Sequence, residues 1–309
     1  ISILGIVGNG FTNSGQIGNY DARVGQQGIF AGSTVTGNFL NEGRIYSTQS
    51  GIQLNGGGTS LSGNFTNSAW IDSSSGDGIS VNGNIGGSFT NSSNSIILTN
   101  GRGISIVGTV GDGFTNSGQI SASTAEGIFV GGMVVGGFHN SGFIGSAQSS
   151  ILLNENGTSL VGNFTNTGSV FSGFNTAIHV NGGINGSFTN SGQIGSGGVF
   201  YNGIGGIFVN GMITGDFLND TGGEIFSTLH GIHLADAGLS LIGNFTNNES
   251  IDSVNGSAIV INGAINGSFT NTGALLASNQ RGISIGGAVN SGFMNSGQIG
   301  ADGDRVGQE

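Results

Sequence analysis

The sequence predicts an all-β fold: a right-handed parallel β-helix, or β-solenoid, of about 12 coils, with 24–29 residues and three short strands per coil. Three observations carry this prediction. A register-locked repeat centred on phenylalanine runs the length of the chain, and inside it the apolar residues alternate with period two in short segments separated by Gly, Ser and Asn. Composition also disfavours helices: among 309 residues there are 66 Gly, and Gly, Ser, Thr and Asn are poor helix formers, whereas Ile, Val and Phe suit strands.

The elements of one coil follow in order. First comes an aliphatic residue four positions before the central Phe: Val7, Val35, Leu61, Ile85, Val110, Val134, Leu160, Ile184, Ile213, Leu241, Ile265 and Val289. The central column is Phe11, Phe39, Phe65, Phe89, Phe114, Phe138, Phe164, Phe188, Phe217, Phe245, Phe269 and Phe293. Two residues later every copy has asparagine: Asn13, Asn41, Asn67, Asn91, Asn116, Asn140, Asn166, Asn190, Asn219, Asn247, Asn271 and Asn295. A second aliphatic residue follows, as in Ile17, Ile45, Ile71, Ile120, Val170 and Ile251. The coil closes with an alternating pair, usually behind a glycine, as in Gly28-Ile29-Phe30-Ala31 and Gly78-Ile79-Ser80-Val81. Length changes fall between the second aliphatic and this pair, as at Gly18 to Gln27 and Gly195 to Gly205, where a coil bulges without disturbing stacked strands.

Three strands in one repeat, joined head to tail, describe a parallel solenoid. The coil is too long for a left-handed hexapeptide helix, and the nonapeptides of calcium-binding rolls are absent. A single coil does not fold alone, because about five inward side chains do not offset the entropy of ordering it; stacking covers each coil's core and satisfies its strand hydrogen bonds. A longer period overlies the first. Arg102-Gly103-Ile104-Ser105-Ile106 returns as Arg281-Gly282-Ile283-Ser284-Ile285, and Ile71-Asp72-Ser73 as Ile251-Asp252-Ser253, giving coils in the order A-B-C-D, A-B-C, A-B-C-D, A. Residues 1–309 therefore read as a single continuous solenoid segment of a longer array.

The columns suggest roles. The Phe column reads as a core stack. The Asn column reads as a ladder at a turn, where asparagine tolerates a left-handed backbone and its amide bonds to the next coil. Glycine two before the Phe, found in nine of twelve coils, reads as a bend. The outward position within the alternating pair holds Phe30, Gln53, Ser80, Ser105, Phe129, Leu152, His179, Phe208, His233, Val260 and Ser284. Its phenylalanines fall on A coils only. Phe30, Phe129 and Phe208 are candidate lateral contacts, although the loops of their own coils are the favoured cover.

Composition removes several functions. There is no collagen triplet, and without Cys neither a disulfide framework nor a Cys-based zinc site exists. Five Arg, no Lys and a net charge of −11 argue against nucleic acid and anionic membranes. No run approaches the ~20 apolar residues of a membrane-spanning helix. Glycosidic chemistry needs two carboxylates held across a bond, and Asp72, Asp77, Asp252 and the pairs Asp216 with Asp220 and Asp302 with Asp304 supply no convincing couple. His179 and His233 share a column but stand two coils apart, which argues against a shared metal. The expectation is no catalytic residue, no cofactor and no metal.

Pieces such as Phe11-Thr12-Asn13-Ser14-Gly15-Gln16-Ile17 and Gly78-Ile79-Ser80-Val81, repeated through a Cys-free chain, resemble the passenger regions of Gram-negative autotransporters and similar large secreted adhesins, which are pectin-lyase-like right-handed β-helices. The resemblance implies a non-enzymatic stalk or adhesive shaft at the surface of a Gram-negative bacterium or secreted from it. The implied partners are a host or cell-surface ligand, or other solenoid segments end to end or laterally. Two alternatives stand beside it: a self-assembling filament or sheath subunit, and a polysaccharide-processing β-helix enzyme.

Overall fold

A computed structural model describes residues 1–195 and 205–300. These residues are all-β, with no helix and only parallel pairing, in about 12 stacked turns. They divide into two compact units, Ile1–Glu155 and Asn156–Glu309. Each unit holds six of the Phe-centred coils.

In Ile1–Glu155 the Phe strands, from Phe11–Asn13 to Phe138–Asn140, form one face. The second aliphatics form another, from Ile45–Ser47 to Phe143–Ser146, and the alternating pairs a third, from Ile29–Ala31 to Ile151–Leu153. We call these the Phe sheet, the post-Phe sheet and the Ile-pair sheet. Asn156–Glu309 repeats the arrangement, with Phe164–Asn166 to Phe293–Asn295 on its Phe sheet. Register never slips on these faces: Phe89 pairs with Phe65 and Phe114, and Ile79 with Ile52 and Ile104. A one-residue slip would turn the whole apolar set outward, so the period-two pattern is itself the lock.

The sequence predicts three strands per coil, and the structure adds a fourth, discontinuous ladder. It runs through the aliphatic residue four before the Phe, as short pairs such as Thr59–Leu61 with Asn84–Ile85 and Thr158–Val161 with Gly183–Asn185, or as single bridges such as Val7 to Val35. Glycines and asparagines around that position cut the ladder to between one and three paired residues.

The core is a stack of like on like. Within each unit the Phe rings lie parallel, with centroids 4.7–5.0 Å apart, close to the strand spacing of a sheet. At Gly28 and Gly51, ahead of the Ile pair, packing leaves no room for a Cβ, whereas Ser150, Ala177 and Ala258 fill the same place in three other coils. A Cβ at Gly28 would stand 2.2 Å from Ile45 Cγ2, and one at Gly51 2.2 Å from Ile71 Cγ2. At the glycines two before the Phe, the bend reading holds at Gly37, where φ is +90°. At Gly63 the cause is instead close approach, with a Cβ 2.6 Å from the Gly37 carbonyl.

Of the two length changes noted in the sequence, the first is a bulge on the post-Phe face. Ile17 bridges to Ile45, residues 19–23 leave the sheet, and Val24 rejoins beside Ser47. Most of the second, residues 196–204, lies outside the described residues, as do Asp302 and Asp304.

Candidate functional site

The interior positions serve cohesion between coils. Each Asn of the central column is the last residue of its strand, facing inward, and its Nδ2 donates to Oδ1 of the next Asn. The distances are 2.8–2.9 Å from Asn13 to Asn140 and 2.7–2.8 Å from Asn166 to Asn295. The second Nδ2 proton often goes to the carbonyl two residues on, as from Asn116 to Gly118 at 3.2 Å. No described non-glycine residue has positive φ. The left-handed turn expected at this column is therefore absent, because an amide ladder needs strand geometry at both of its members.

One interior column escaped the sequence reading. Ser47, Ser73, Ser146, Ser172, Ser227 and Ser253 point inward two residues after the second aliphatic. Several of their hydroxyls cap the following turn: Ser47 Oγ donates to the Gln49 carbonyl at 2.8 Å and Ser146 Oγ to that of Gln148 at 2.8 Å. The signal was the recurring Ile-x-Ser, as in Ile71-Asp72-Ser73, where alternation places Ser on the Ile side of the strand.

Outside, the A-coil aromatics Phe30, Phe129 and Phe208 are all half-buried. Loop cover was the favoured expectation, and Phe129 departs from it. Its ring lies 4.3 Å beneath the guanidinium of Arg102 in the preceding coil, a cation–π contact made because residues one coil apart are neighbours in space. Arg102 is itself held between acids of the adjacent coils. Its backbone N–H donates to Asp77 Oδ1 at 2.9 Å, and its Nε to Glu126 Oε2 at 2.8 Å. Burial pushes the Asp77 carboxyl above the ordinary carboxylate range, while the bond from the Arg102 backbone pulls it down.

Phe208 sits between His179 and His233 on the same row. Its ring centroid is 4.8 Å from His179 and 5.2 Å from His233, both edge-on. Burial holds both imidazoles below the usual histidine value; a hydrogen bond with Asn181 opposes this at His179, and one with Asn262 at His233. Nε2 of each histidine is buried without a hydrogen-bond partner. His230, 5.6 Å from His233, accepts the Ser257 N–H at Nδ1 (3.1 Å). Among the described residues no group of three or more His, Asp or Glu is placed to hold a metal ion.

Asp72, first among the carboxylates weighed for catalysis, is clasped by Arg23. Two parallel bonds of 2.9 Å join Nη1 to Oδ1 and Nη2 to Oδ2, and Nη1 also reaches the Asp72 carbonyl at 3.1 Å. Arg23 returns from the bulge of the first coil and crosses the second to reach Asp72 in the third. Both carboxylate oxygens are thus spent on a strap, which suits a bidentate Arg contact and not a general base. In the other unit Asp216 Oδ1 caps the Asn244 N–H at 2.7 Å, and Asp220 Oδ1 receives Asn248 Nδ2 at 3.3 Å. Asp252 takes the column place of Asp72, in register with Phe226 and Leu276.

Comparison with protein-family models, with curated proteins and with solved structures finds no match to this chain.

Proposed function

We propose that this chain is a non-enzymatic structural shaft, the stalk or adhesive stem of a bacterial surface or secreted protein of the autotransporter-passenger kind. The observation that carries the reading is the use to which the repeated residues are put. Phe, Asn and Ile columns all bond or pack one coil to the next, with ring spacings of 4.7–5.0 Å and amide links near 2.8 Å. Asp72 and Glu126 are committed to arginines that bind across coils. An enzyme on such a scaffold would gather unpaired acids or bases from neighbouring turns; a shaft gathers links. The absence of Cys fits a chain exported unfolded and unbridged.

The test is deletion of the coding region in its native host. Reduced attachment or cell aggregation with unchanged growth on polysaccharides is the expected result. Loss of growth on a polysaccharide with attachment intact overturns the proposal in favour of the enzyme. In that case Asp72→Asn in the purified protein identifies whether that carboxylate takes part.

A further inference from the structure

We propose that the His179–Phe208–His233 seam is an acid-operated joint, at which protonation of two half-buried imidazoles loosens the stacking of three consecutive coils of Asn156–Glu309. The inference starts from geometry. Ile178–Val180, Ile207–Val209 and Ile232–Leu234 are neighbouring parallel strands, and the middle residue of each points outward in register. The row is therefore ring on ring on ring, with interplanar angles of 73° and 80°. Among the described residues four buried side-chain polar atoms lack a hydrogen-bond partner, and two of them are His179 Nε2 and His233 Nε2.

A neutral imidazole with one nitrogen unsatisfied bears a modest cost. A charged one bears more, because the proton added to an enclosed nitrogen has no acceptor and no water. The surroundings offer the charge no counter-ion. His179 feels only burial and its bond with Asn181. His233 feels burial, the charge of His230 working against its own, and a bond with Asn262. No carboxylate contributes to either ring; Asp236, three residues past His233, spends Oδ1 on the Gly238 N–H at 2.8 Å.

The direction of the pH effect follows. Both rings bind protons less readily folded than unfolded, so the unfolded chain takes up more protons as pH falls through about 6.5. Above that value the seam has its full stability; below it, stability drains away until the folded rings also protonate. Histidine is the side chain whose ordinary range makes this a change between neutral and mildly acidic surroundings.

The experiment is amide hydrogen exchange on the full chain at pH 7.5 and 5.5, corrected for intrinsic rates and kept above the carboxylate range. Peptides covering 178–180, 207–209 and 232–234 are expected to lose protection at pH 5.5, while those covering 79–81, 104–106 and 128–130 keep theirs. The double variant His179→Gln, His233→Gln should abolish the difference, and His139→Gln should leave it unchanged. An equal response in the double variant, or none in the parent, overturns the joint. If the double variant does not fold, imidazole resonances of the unaltered chain decide: titration of His179 and His233 below the ordinary histidine value supports the proposal, and titration at or above it sinks it.

Discussion

Phe129 and Phe208 occupy the same place in two A coils, and their surroundings could hardly differ more in chemistry. Phe129 lies under the guanidinium of Arg102, whose Nε donates to Glu126 and whose backbone N–H donates to Asp77. Phe208 lies between two neutral imidazoles with unsatisfied nitrogens. Beneath both, the interior of the coil is identical: a stacked Phe, a laddered Asn and paired aliphatics. The outward row of a solenoid is thus free to vary in kind because the inward columns already hold the coil. Variation there changes how stability responds to conditions more than it changes the fold.

That contrast can be broken from the inside outward. The largest effect belongs to the shared interior: Phe114→Ala and Phe188→Ala, one in each A coil, should each cost about 3–5 kcal/mol. Urea unfolding checks it, and a cost for one below a third of the other would show that the two interiors are not equivalent. Next come the ladders. Asn116→Ala leaves Asn91 Nδ2 without its acceptor and Asn140 Oδ1 without its donor, and Asn190→Ala does the same to Asn166 and Asn219. A loss of about 1–3 kcal/mol is expected for each, read as a shift in thermal midpoint.

Smaller still, Arg102→Met removes the cover of Phe129 and the counter-charge of Asp77 and Glu126, for about 1 kcal/mol at pH 7. The sign of its pH dependence is opposite to that at Phe208. Asp77 already prefers its proton when folded, so acid should restore stability to this variant as pH drops towards about 4. Thermal melts at both pH values decide this, and a deficit that deepens in acid would mean Asp77 is not the strained partner. Smallest of all, His139→Gln on the outer side of the Phe sheet should move stability by no more than about 0.5 kcal/mol in a thermal melt at pH 7.

The inward columns were legible because identical residues recur at one offset, and burial of a repeated Phe or Ile is the only arrangement in which each helps the next. What the chain could not display was distance across coils. Arg102 and Phe129 are 27 residues apart, and Arg23 and Asp72 are 49 apart with a whole coil between them; such contacts depend on where a long side chain points, which no periodicity records. The row His179, Phe208, His233 was visible as a row. Its unsatisfied nitrogens were not, since enclosure of one ring edge is a property of packing. The serine column is less legible, because Ser reads as surface until its strand neighbours fix its side.

The asparagine ladder has one more consequence. Within each unit every link of the ladder runs the same way, from the amide N–H of one Asn to the amide oxygen of its C-terminal neighbour. A stack assembled this way has a head and a tail, and a coil laid in backwards would set donor against donor. Yet the ladder does not distinguish one coil from another, because any Asn meets any other at the same length. One coil can therefore follow any other along the stack without a break in the ladder, which suits the repeated blocks of coils in the sequence.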